Sequence, residues 1–218
     1  MVWRTLDEAK AEALACTKCG LARGRTQVVW MDGDAAADLL FIGEAPGFHE
    51  DRQGRPFVGA AGRLLDSMLA SIGLDRTTCA IANVIKCRPP GNRDPLPDEI
   101  ETCRPYLDAQ LAFMQPTVVV TLGNFATRYV LARQVSISRV RGQRFTVDGR
   151  TVIPTFHPAA ILHGGGEGSP QMQALRSDFA LVRKVLDEKA AERRAAAASP
   201  PAPAAPPAEE RVEQQSFF

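Results

Sequence analysis

Four of the five cysteines constrain the fold of this chain more than any other feature of its sequence. Cys16 and Cys19 form a C-x2-C pair near the N-terminus, whereas Cys87 and Cys103 lie far downstream. Four thiolates in such an arrangement can hold a metal centre that joins distant segments of a chain. The remaining cysteine, Cys79, lies in a short apolar run and is interpreted as a small buried core residue.

The nature of the metal stays open on cysteine spacing alone. No apolar run approaches the ~18 residues of a membrane span, and the N-terminal residues lack the apolar stretch of a signal peptide. We therefore expect a cytoplasmic protein, in which cysteines stay reduced and favour metal over disulfides. A zinc site with four cysteines commonly has two close pairs, but the second pair here is spread as C-x15-C. The spacing favours an iron-sulfur cluster and leaves zinc as the alternative.

The alternation of apolar runs with helical patterns predicts the fold class. Buried strands are predicted at residues 38–43, 79–84 and 117–123, and a hairpin with an Asp-Gly turn at 145–153. Helices are predicted at residues 5–15, 59–73, 124–132 and 170–194, and a further helix begins at Pro97. Strands that alternate with helices form parallel sheets covered on both faces. We therefore expect an α/β protein, a three-layer α/β/α fold with a central, mainly parallel four-stranded sheet.

Two local signals concern the ends and the continuity of the predicted helices. Thr5 with Glu8 three residues later predicts a capping box at the start of the first helix. Pro105 lies within the helix that begins at Pro97 and is expected to disturb or restart it, because proline removes a helical hydrogen bond.

Polar and glycine-rich segments follow three of the predicted strands. The sequence Gly-Glu-Ala-Pro-Gly at residues 43–47 follows the first strand, Asn83 ends the second, and His157 follows the hairpin. Ligands of parallel α/β folds bind outside the carboxyl ends of the strands. The three segments are therefore predicted to meet at one cleft.

The composition of the chain changes after Ala195. Residues 195–213 are rich in proline and alanine, which cannot build a core and predict a disordered, semi-rigid linker. The last five residues, 214–218, contain two adjacent phenylalanines that have no folding role in such a tail. We expect one folded domain at residues 1–194, the linker at 195–213, and a separate binding peptide at 214–218.

Several motifs occur together and in the order that one family has them. They are GEAPG at residues 43–47, PFVG at 56–59, Asn83, CRPPGNR at 87–93 and His157 with Pro158. With these motifs the chain resembles the family 4 uracil-DNA glycosylases, the iron-sulfur branch of the uracil-DNA glycosylase superfamily, over residues 5–186. The resemblance implies an enzyme that flips uracil out of DNA and hydrolyses its N-glycosidic bond, leaving an abasic site for base-excision repair.

The resemblance also implies a cofactor and its ligands. A 4Fe-4S cluster would be held by Cys16, Cys19, Cys87 and Cys103, which raises iron-sulfur well above zinc. Its role would be structural, tying the N-terminal helix to the loop beside Asn83.

The resemblance assigns five residues to the substrate pocket. Asn83 would present its amide to the Watson–Crick edge of uracil, and cytosine would leave that amide unpaired. Phe57 would stack on the extruded base. Glu50 would lie near uracil C5 and exclude the methyl group of thymine. Gly43 and Ala45 would keep the loop backbone close to the base. Without the family, Asn83 is better read as a strand-end turn residue, and Phe57 is equally well a core residue.

Two further residues carry the implied chemistry. His157 would donate a hydrogen bond to uracil O2, where negative charge develops as the bond breaks. Glu44 would face the sugar, favour its cationic transition state and orient the attacking water. Neither a nucleophile for a lasting covalent intermediate nor a catalytic lysine is evident in the sequence, so a monofunctional hydrolase is expected.

The remaining assignments concern macromolecular partners. Lys86, Arg88 and Arg93 are expected to contact the DNA backbone, and Ile161 or Leu162 to fill the space that the flipped base vacates. The chain end resembles short sliding-clamp-binding peptides, with anchors at Gln214, Phe217 and Phe218. We expect a monomer that acts on nucleoid DNA.

Two alternative functions remain. The first is a related branch that becomes covalently trapped on the abasic sugar, but the basic, histidine-containing insert of that branch is missing at residues 91–95. The second is a non-catalytic DNA-binding module that uses the cluster as a scaffold, and the retention of Glu44, Asn83 and His157 speaks against it.

Overall fold

A six-stranded sheet lies at the centre of the structure, a computed structural model that describes residues 2–198. Its strands are β1 (Asp32–Gly33), β2 (Leu39–Gly43), β3 (Ala80–Asn83), β4 (Val118–Leu122), β5 (Phe145–Val147) and β6 (Arg150–Thr155). The spatial order is β1-β3-β2-β4-β6-β5. The four inner strands are parallel, and β1 and β5 pair antiparallel at the edges. The mainly parallel sheet is confirmed.

The predicted number of four strands is wrong, because two edge strands extend the parallel core. β5 is the first arm of the predicted hairpin and pairs with β6 across a turn in which Asp148 and Gly149 both have positive φ. Such a turn matches the twist of the strands it joins. β1 has only two residues, too few for an alternation of apolar and polar side chains to reveal it.

Eight α-helices accompany the sheet within the described residues. They are α1 (Leu6–Leu14), α2 (Phe48–Gln53), α3 (Ala60–Ser71), α4 (Pro97–Met114), α5 (Gly123–Leu131), α6 (Ile137–Val140), α7 (Pro158–His163) and α8 (Pro170–Ala198). All five predicted helices are present. The three that were not predicted, α2, α6 and α7, have six residues or fewer. Helices this short contain too few apolar positions to establish a helical period.

The two local signals predicted from the sequence, a capping box and a disturbance at Pro105, concern the start of α1 and the middle of α4. Thr5 caps α1, since the Glu8 amide donates to Thr5 Oγ1 at 3.1 Å. The expected disturbance at Pro105 is wrong, because α4 continues through that residue. Pro105 and Glu101, whose carbonyl loses its helical partner, are both exposed, so water can bind that carbonyl.

The two faces of the sheet carry separate cores, as a three-layer fold requires. Leu40 and Ile42 of β2 face a cluster that includes α1 and α4, whereas Leu39 and Phe41 face a cluster that includes α3 and α8. Every residue of β2 is buried, because both faces of a parallel sheet are covered by helices.

The last helix extends beyond the predicted end of the domain. α8 continues past residue 194 to Ala198, consistent with the high helix propensity of the alanine run there. The rest of the predicted linker and the predicted clamp-binding residues Gln214, Phe217 and Phe218 lie outside the described residues. Within residues 2–198, no helix has both the length and the apolar character needed to cross a membrane.

Candidate active site

An open cavity of about 350 Å³ lies at the carboxyl ends of the parallel strands. The GEAPG loop follows β2, Asn83 ends β3, and His157 lies between β6 and α7. The cavity is lined by six of the seven predicted catalytic and substrate-binding residues: Glu44, Ala45, Glu50, Phe57, Asn83 and His157. The three segments that sequence analysis expected to meet therefore do meet.

Asn83 lies on the floor of this cavity and has an incomplete set of hydrogen bonds. The residue is buried, and its Oδ1 atom has no hydrogen-bond partner among the described residues. A buried polar atom left unpaired costs about 1–3 kcal/mol, so this oxygen is poised for a donor from a ligand.

Gly43 of β2 is paired with Asn83 of β3, and other side chains of the site occupy the space beside Gly43. A Cβ atom at Gly43 would lie 2.5 Å from Asn83 Oδ1 and 2.7 Å from Phe57 Cζ. Glycine is therefore required because the amide and the aromatic ring occupy the volume that a side chain would fill.

Phe57 is held in an unusual backbone conformation. Its φ of 54° lies in the left-handed region, which costs a residue with a side chain of the order of 1–3 kcal/mol. The ring is buried and stacks against the His157 ring, with centroids 5.5 Å apart and an angle of 30° between the planes. The strained backbone thus presents a flat apolar surface beside Asn83.

His157 is oriented by the backbone that follows it. Its Nδ1 atom accepts a hydrogen bond from the Ala159 amide at 3.1 Å. A neutral imidazole that accepts at Nδ1 carries its proton on Nε2, so Nε2 is the donor. Burial lowers the pKa of His157 to about 4 and keeps the ring neutral at pH 7.

The two glutamates of the cavity have different surroundings. Burial, together with the nearby charge of Asp94, raises the pKa of Glu44, and its carboxylate forms no hydrogen bond within residues 2–198. Glu50 instead accepts from the amides of Val58 and Gly59 at 2.8 and 2.9 Å through Oε1. Glu44 is thus available to a ligand, whereas Glu50 also fixes the loop that follows Phe57.

The four predicted metal ligands line a second cavity, on the α1 and α4 side of the sheet. They are Cys16, Cys19, Cys87 and Cys103. An Arg25 guanidinium donates to Cys87 Sγ at 3.4 Å, and the Lys86 amide donates to Cys103 Sγ at 3.2 Å. Hydrogen bonds to cysteine sulfur are typical of iron-sulfur sites.

The same four cysteines can be compared with the ligand set of a single metal ion. In the described part of the chain, no three histidine, cysteine or acidic side chains are arranged to hold a single metal ion. Four thiols that line one cavity are the ligand set that an iron-sulfur cluster requires.

Two of the predicted DNA contacts are wrong because the side chains are buried. Lys86 is 1% exposed, and its ammonium group donates to the Asn83 carbonyl at 2.7 Å and to Gln110 Oε1 at 2.5 Å. Burial lowers the pKa of Lys86 to about 8. Ile161 is also 1% exposed and belongs to the core cluster that includes α3 and α8. Neither side chain can reach a DNA strand.

The other predicted contacts lie at accessible positions. Leu162, the neighbour of Ile161, is 44% exposed. Arg88 is partly exposed and donates to Asn92 Oδ1 at 2.7 Å. Arg93 lines the active-site cavity and pairs with Glu99 at 2.6 Å.

Sequence analysis missed two residues at this site. Gly123, at the start of α5, has a φ of 88°, and a Cβ there would lie 3.1 Å from His157 Cβ. Phe48 is an exposed aromatic residue whose ring lies 5.1 Å from the Arg88 guanidinium. A glycine directly after a strand and an aromatic residue directly after the GEAPG loop were the available signals.

Comparison with known proteins identifies the family. A family model described as the Uracil DNA glycosylase superfamily matches residues 30–180. The chain therefore belongs to the uracil-DNA glycosylase superfamily, and the assignment made from its motifs is confirmed.

Individual relatives refine the comparison. The chain is 43% identical over 191 residues to the type-4 uracil-DNA glycosylase of Sulfurisphaera tokodaii, covering 83% of this chain and 84% of the relative. It is 43% identical over 194 residues to the type-4 enzyme of Archaeoglobus fulgidus, covering 85% and 95%. A type-5 uracil-DNA glycosylase of Mycobacterium leprae is 35% identical over 173 residues, covering 68% and 74%.

Substitution of Gly43 tests the geometry of the cavity floor. In Gly43→Ala the new methyl group must displace Asn83 or Phe57, and overpacking of this kind costs about 1–3 kcal/mol. We expect a lower midpoint in urea unfolding than for the parent protein. Gly24→Ala is the control, because a Cβ at Gly24 meets nothing within 4 Å. Equal midpoints for the two variants would contradict the described packing.

Proposed function

We propose that this chain is a type-4 uracil-DNA glycosylase, which removes uracil from DNA and initiates base-excision repair. The observation that carries the proposal is the unpaired oxygen of Asn83 beside a neutral His157 in one cavity. The names of its type-4 relatives support the same activity.

Asn83 reads the base. Its Oδ1 atom accepts from uracil N3–H, and its amide NH2 group donates to uracil O4. Cytosine carries an acceptor at N3 and a donor at C4, which reverses this pattern and leaves buried groups unpaired. The unpaired Oδ1 thus acquires a partner only when a base of the correct pattern enters the cavity.

Phe57 and Glu50 shape the same pocket. The Phe57 ring stacks on the face of the extruded base, which repays part of the cost of unstacking it. Glu50 lies close to C5 of the base, where the methyl group of thymine would collide. The backbone of Gly43 and Ala45 forms the adjoining wall.

His157 and Glu44 carry out the hydrolysis. As the bond between C1′ and the base nitrogen breaks, its electron pair moves into the base and charge develops on O2. The Nε2–H group of His157 donates a hydrogen bond to that oxygen. The Glu44 carboxylate stabilises the cationic sugar and accepts a proton from the water whose oxygen bonds to C1′. In residues 2–198 neither a lysine nor a cysteine lines this cavity, which favours a monofunctional hydrolase.

A 4Fe-4S cluster on the four cysteines is part of the proposal. Cys16 and Cys19 follow α1, whereas Cys87 lies shortly after Asn83, so a bound cluster cross-links these two segments. Aerobically purified protein is expected to be brown and to contain about four iron and four sulfide per chain. A colourless protein with one zinc per chain would contradict the cluster.

The DNA and the sliding clamp are the proposed partners. Arg88 and Arg93 contact phosphates beside the cavity, and Leu162 fills the gap that the flipped base leaves. Gln214, Phe217 and Phe218 dock on a sliding clamp, and residues 195–213 tether them to the domain. Retention on immobilised clamp, lost in the double variant Phe217→Ala/Phe218→Ala, is the test. We further propose that the enzyme is monomeric, cytoplasmic and nucleoid-associated.

The activity is tested with a uracil-containing oligonucleotide and its thymine counterpart under single-turnover conditions with saturating enzyme. We expect alkali-sensitive strand scission of the uracil substrate alone. Asn83→Ala should reduce the rate about 10- to 100-fold, and His157→Ala about 100- to 1000-fold. His163→Ala, an exposed histidine at the end of α7, is the control and should retain the parent rate. An SDS-stable adduct would instead indicate the covalently trapped branch, and no reaction a non-catalytic DNA-binding module.

The pH dependence of the rate tests the protonation states. Because burial lowers the pKa of His157 to about 4, the rate should not fall between about pH 6 and pH 8. Because burial raises the pKa of Glu44, the rate should fall at acid pH as that carboxylate becomes protonated, and Glu44→Gln should remove this dependence. A decline centred near pH 6.5 as the pH rises would mean that a charged imidazolium is required.

A further inference from the structure

The strained backbone of Phe57 needs a partner that holds it in place. Its φ of 54° is unfavourable for a residue with a side chain, and such conformations persist only where the surroundings enforce them. Phe57 is also the residue whose ring stacks on His157 inside the cavity. Whatever fixes its backbone therefore fixes a wall of the active site.

Arg76 provides that partner. One terminal guanidinium nitrogen, Nη1, donates to the Pro56 carbonyl at 3.0 Å, and the other, Nη2, donates to the Phe57 carbonyl. The Phe57 carbonyl also lies against α3, where a Cβ on Gly62 would lie 1.7 Å from its oxygen. The Phe57 carbonyl thus contacts both the first turn of α3 and the Arg76 guanidinium group.

Arg76 is itself fixed by two carboxylates, one on a helix and one on an edge strand of the sheet. Its Nε atom donates to the carboxylate of Asp66 in α3 at 2.7 Å, and its Nη1 atom donates to the carboxylate of Asp32 in β1 at 2.8 Å. Asp32 also accepts from Arg55, which precedes Pro56, at 3.0 Å. An arginine fork bound on several sides has a defined orientation that a lysine cannot reproduce.

We infer that Arg76 is a positioning residue for the enzyme, which sets the orientation of the Phe57 ring against the extruded base without contacting that base. The inference rests on the proposed function, in which Phe57 stacks on uracil. Arg76 is absent from the residues that line the cavity, so it acts through Phe57. Placing the ring before the base arrives avoids an ordering cost during the reaction.

The first measurement compares single-turnover rates of base release with saturating enzyme. Arg76→Ala should lower the rate about tenfold or more, and Arg76→Lys should restore part of it through its single ammonium group. Arg150→Ala is the matched control, because Arg150 donates to the Leu111 carbonyl at 3.0 Å and lies at the opposite end of the sheet. The side chains of Arg76 and Arg150 are 18% and 20% exposed. Arg150→Ala should keep the parent rate, and an equal loss in both variants would overturn the inference.

A double-mutant cycle with Phe57→Ala separates positioning from general stabilisation. If Arg76 acts through the ring, Arg76→Ala should change the rate less than about twofold once the ring is removed. The same loss in both backgrounds would overturn the inference while leaving the proposed function intact. A parent rate for Phe57→Ala alone would instead overturn the stacking role of Phe57 on which the inference rests.

A milder variant covers the case in which Arg76→Ala does not fold. Asp66→Ala removes one anchor of the guanidinium, and the Asp66 side chain is 47% exposed. The same cycle is then run with Asp66→Ala, after circular dichroism has established that the variant is folded. The inference is supported if Asp66→Ala lowers the rate of the parent enzyme but leaves the rate of the Phe57→Ala variant unchanged. It is overturned if Asp66→Ala leaves the parent rate unchanged, or if it causes the same loss in both backgrounds.

Discussion

The site depends on the parallel pairing of β2 with β3, which sets Gly43 opposite Asn83. Because Gly43 has no side chain, the Asn83 amide and the Phe57 ring can share the space above the strand ends. The backbone pairing continues beyond the strands, as the Val84 amide donates to Gly43 and the Ile85 amide donates to Glu44, at 2.9 and 3.1 Å. One pair of strands therefore fixes the position of the Asn83 amide relative to the loop that carries Glu44.

The segment after β3 connects the two cavities of the protein. The Lys86 ammonium group donates a hydrogen bond to the Asn83 carbonyl, and the Lys86 backbone amide donates to Cys103 Sγ. One residue therefore contacts both sites. Burying this cation is costly, and bonds to Gln110 and the Asn83 carbonyl, together with the Trp30 ring 5.6 Å away, offset that cost. Lys86 is thus a direct structural connection between the cysteine-lined cavity and Asn83.

Sequence patterns were most reliable where a residue directly follows a strand. Glu44, Asn83 and His157 were assigned to one cleft because strands of a parallel sheet end at the same edge. Patterns failed for Lys86 and Ile161, which are buried although Arg88, two residues after Lys86, and Leu162, the neighbour of Ile161, are accessible. When two basic or two apolar residues lie close together next to a functional loop, the local sequence does not indicate which of them faces solvent.

The sequence by itself determined the order along the chain of the longer helices and the main strands, the family, and the chemical groups available at the strand ends, because these follow from local patterns and short motifs. Only the tertiary structure decided which groups are buried and unpaired. The Lys86 ammonium group donates to the side chain of Gln110, which in turn donates to the Trp30 carbonyl. These residues are remote from one another in the chain. The partners of Phe57 come likewise from Arg76, which is fixed by Asp32 and Asp66. Burial and hydrogen bonding depend on such distant contacts, which exist only once the layers have packed.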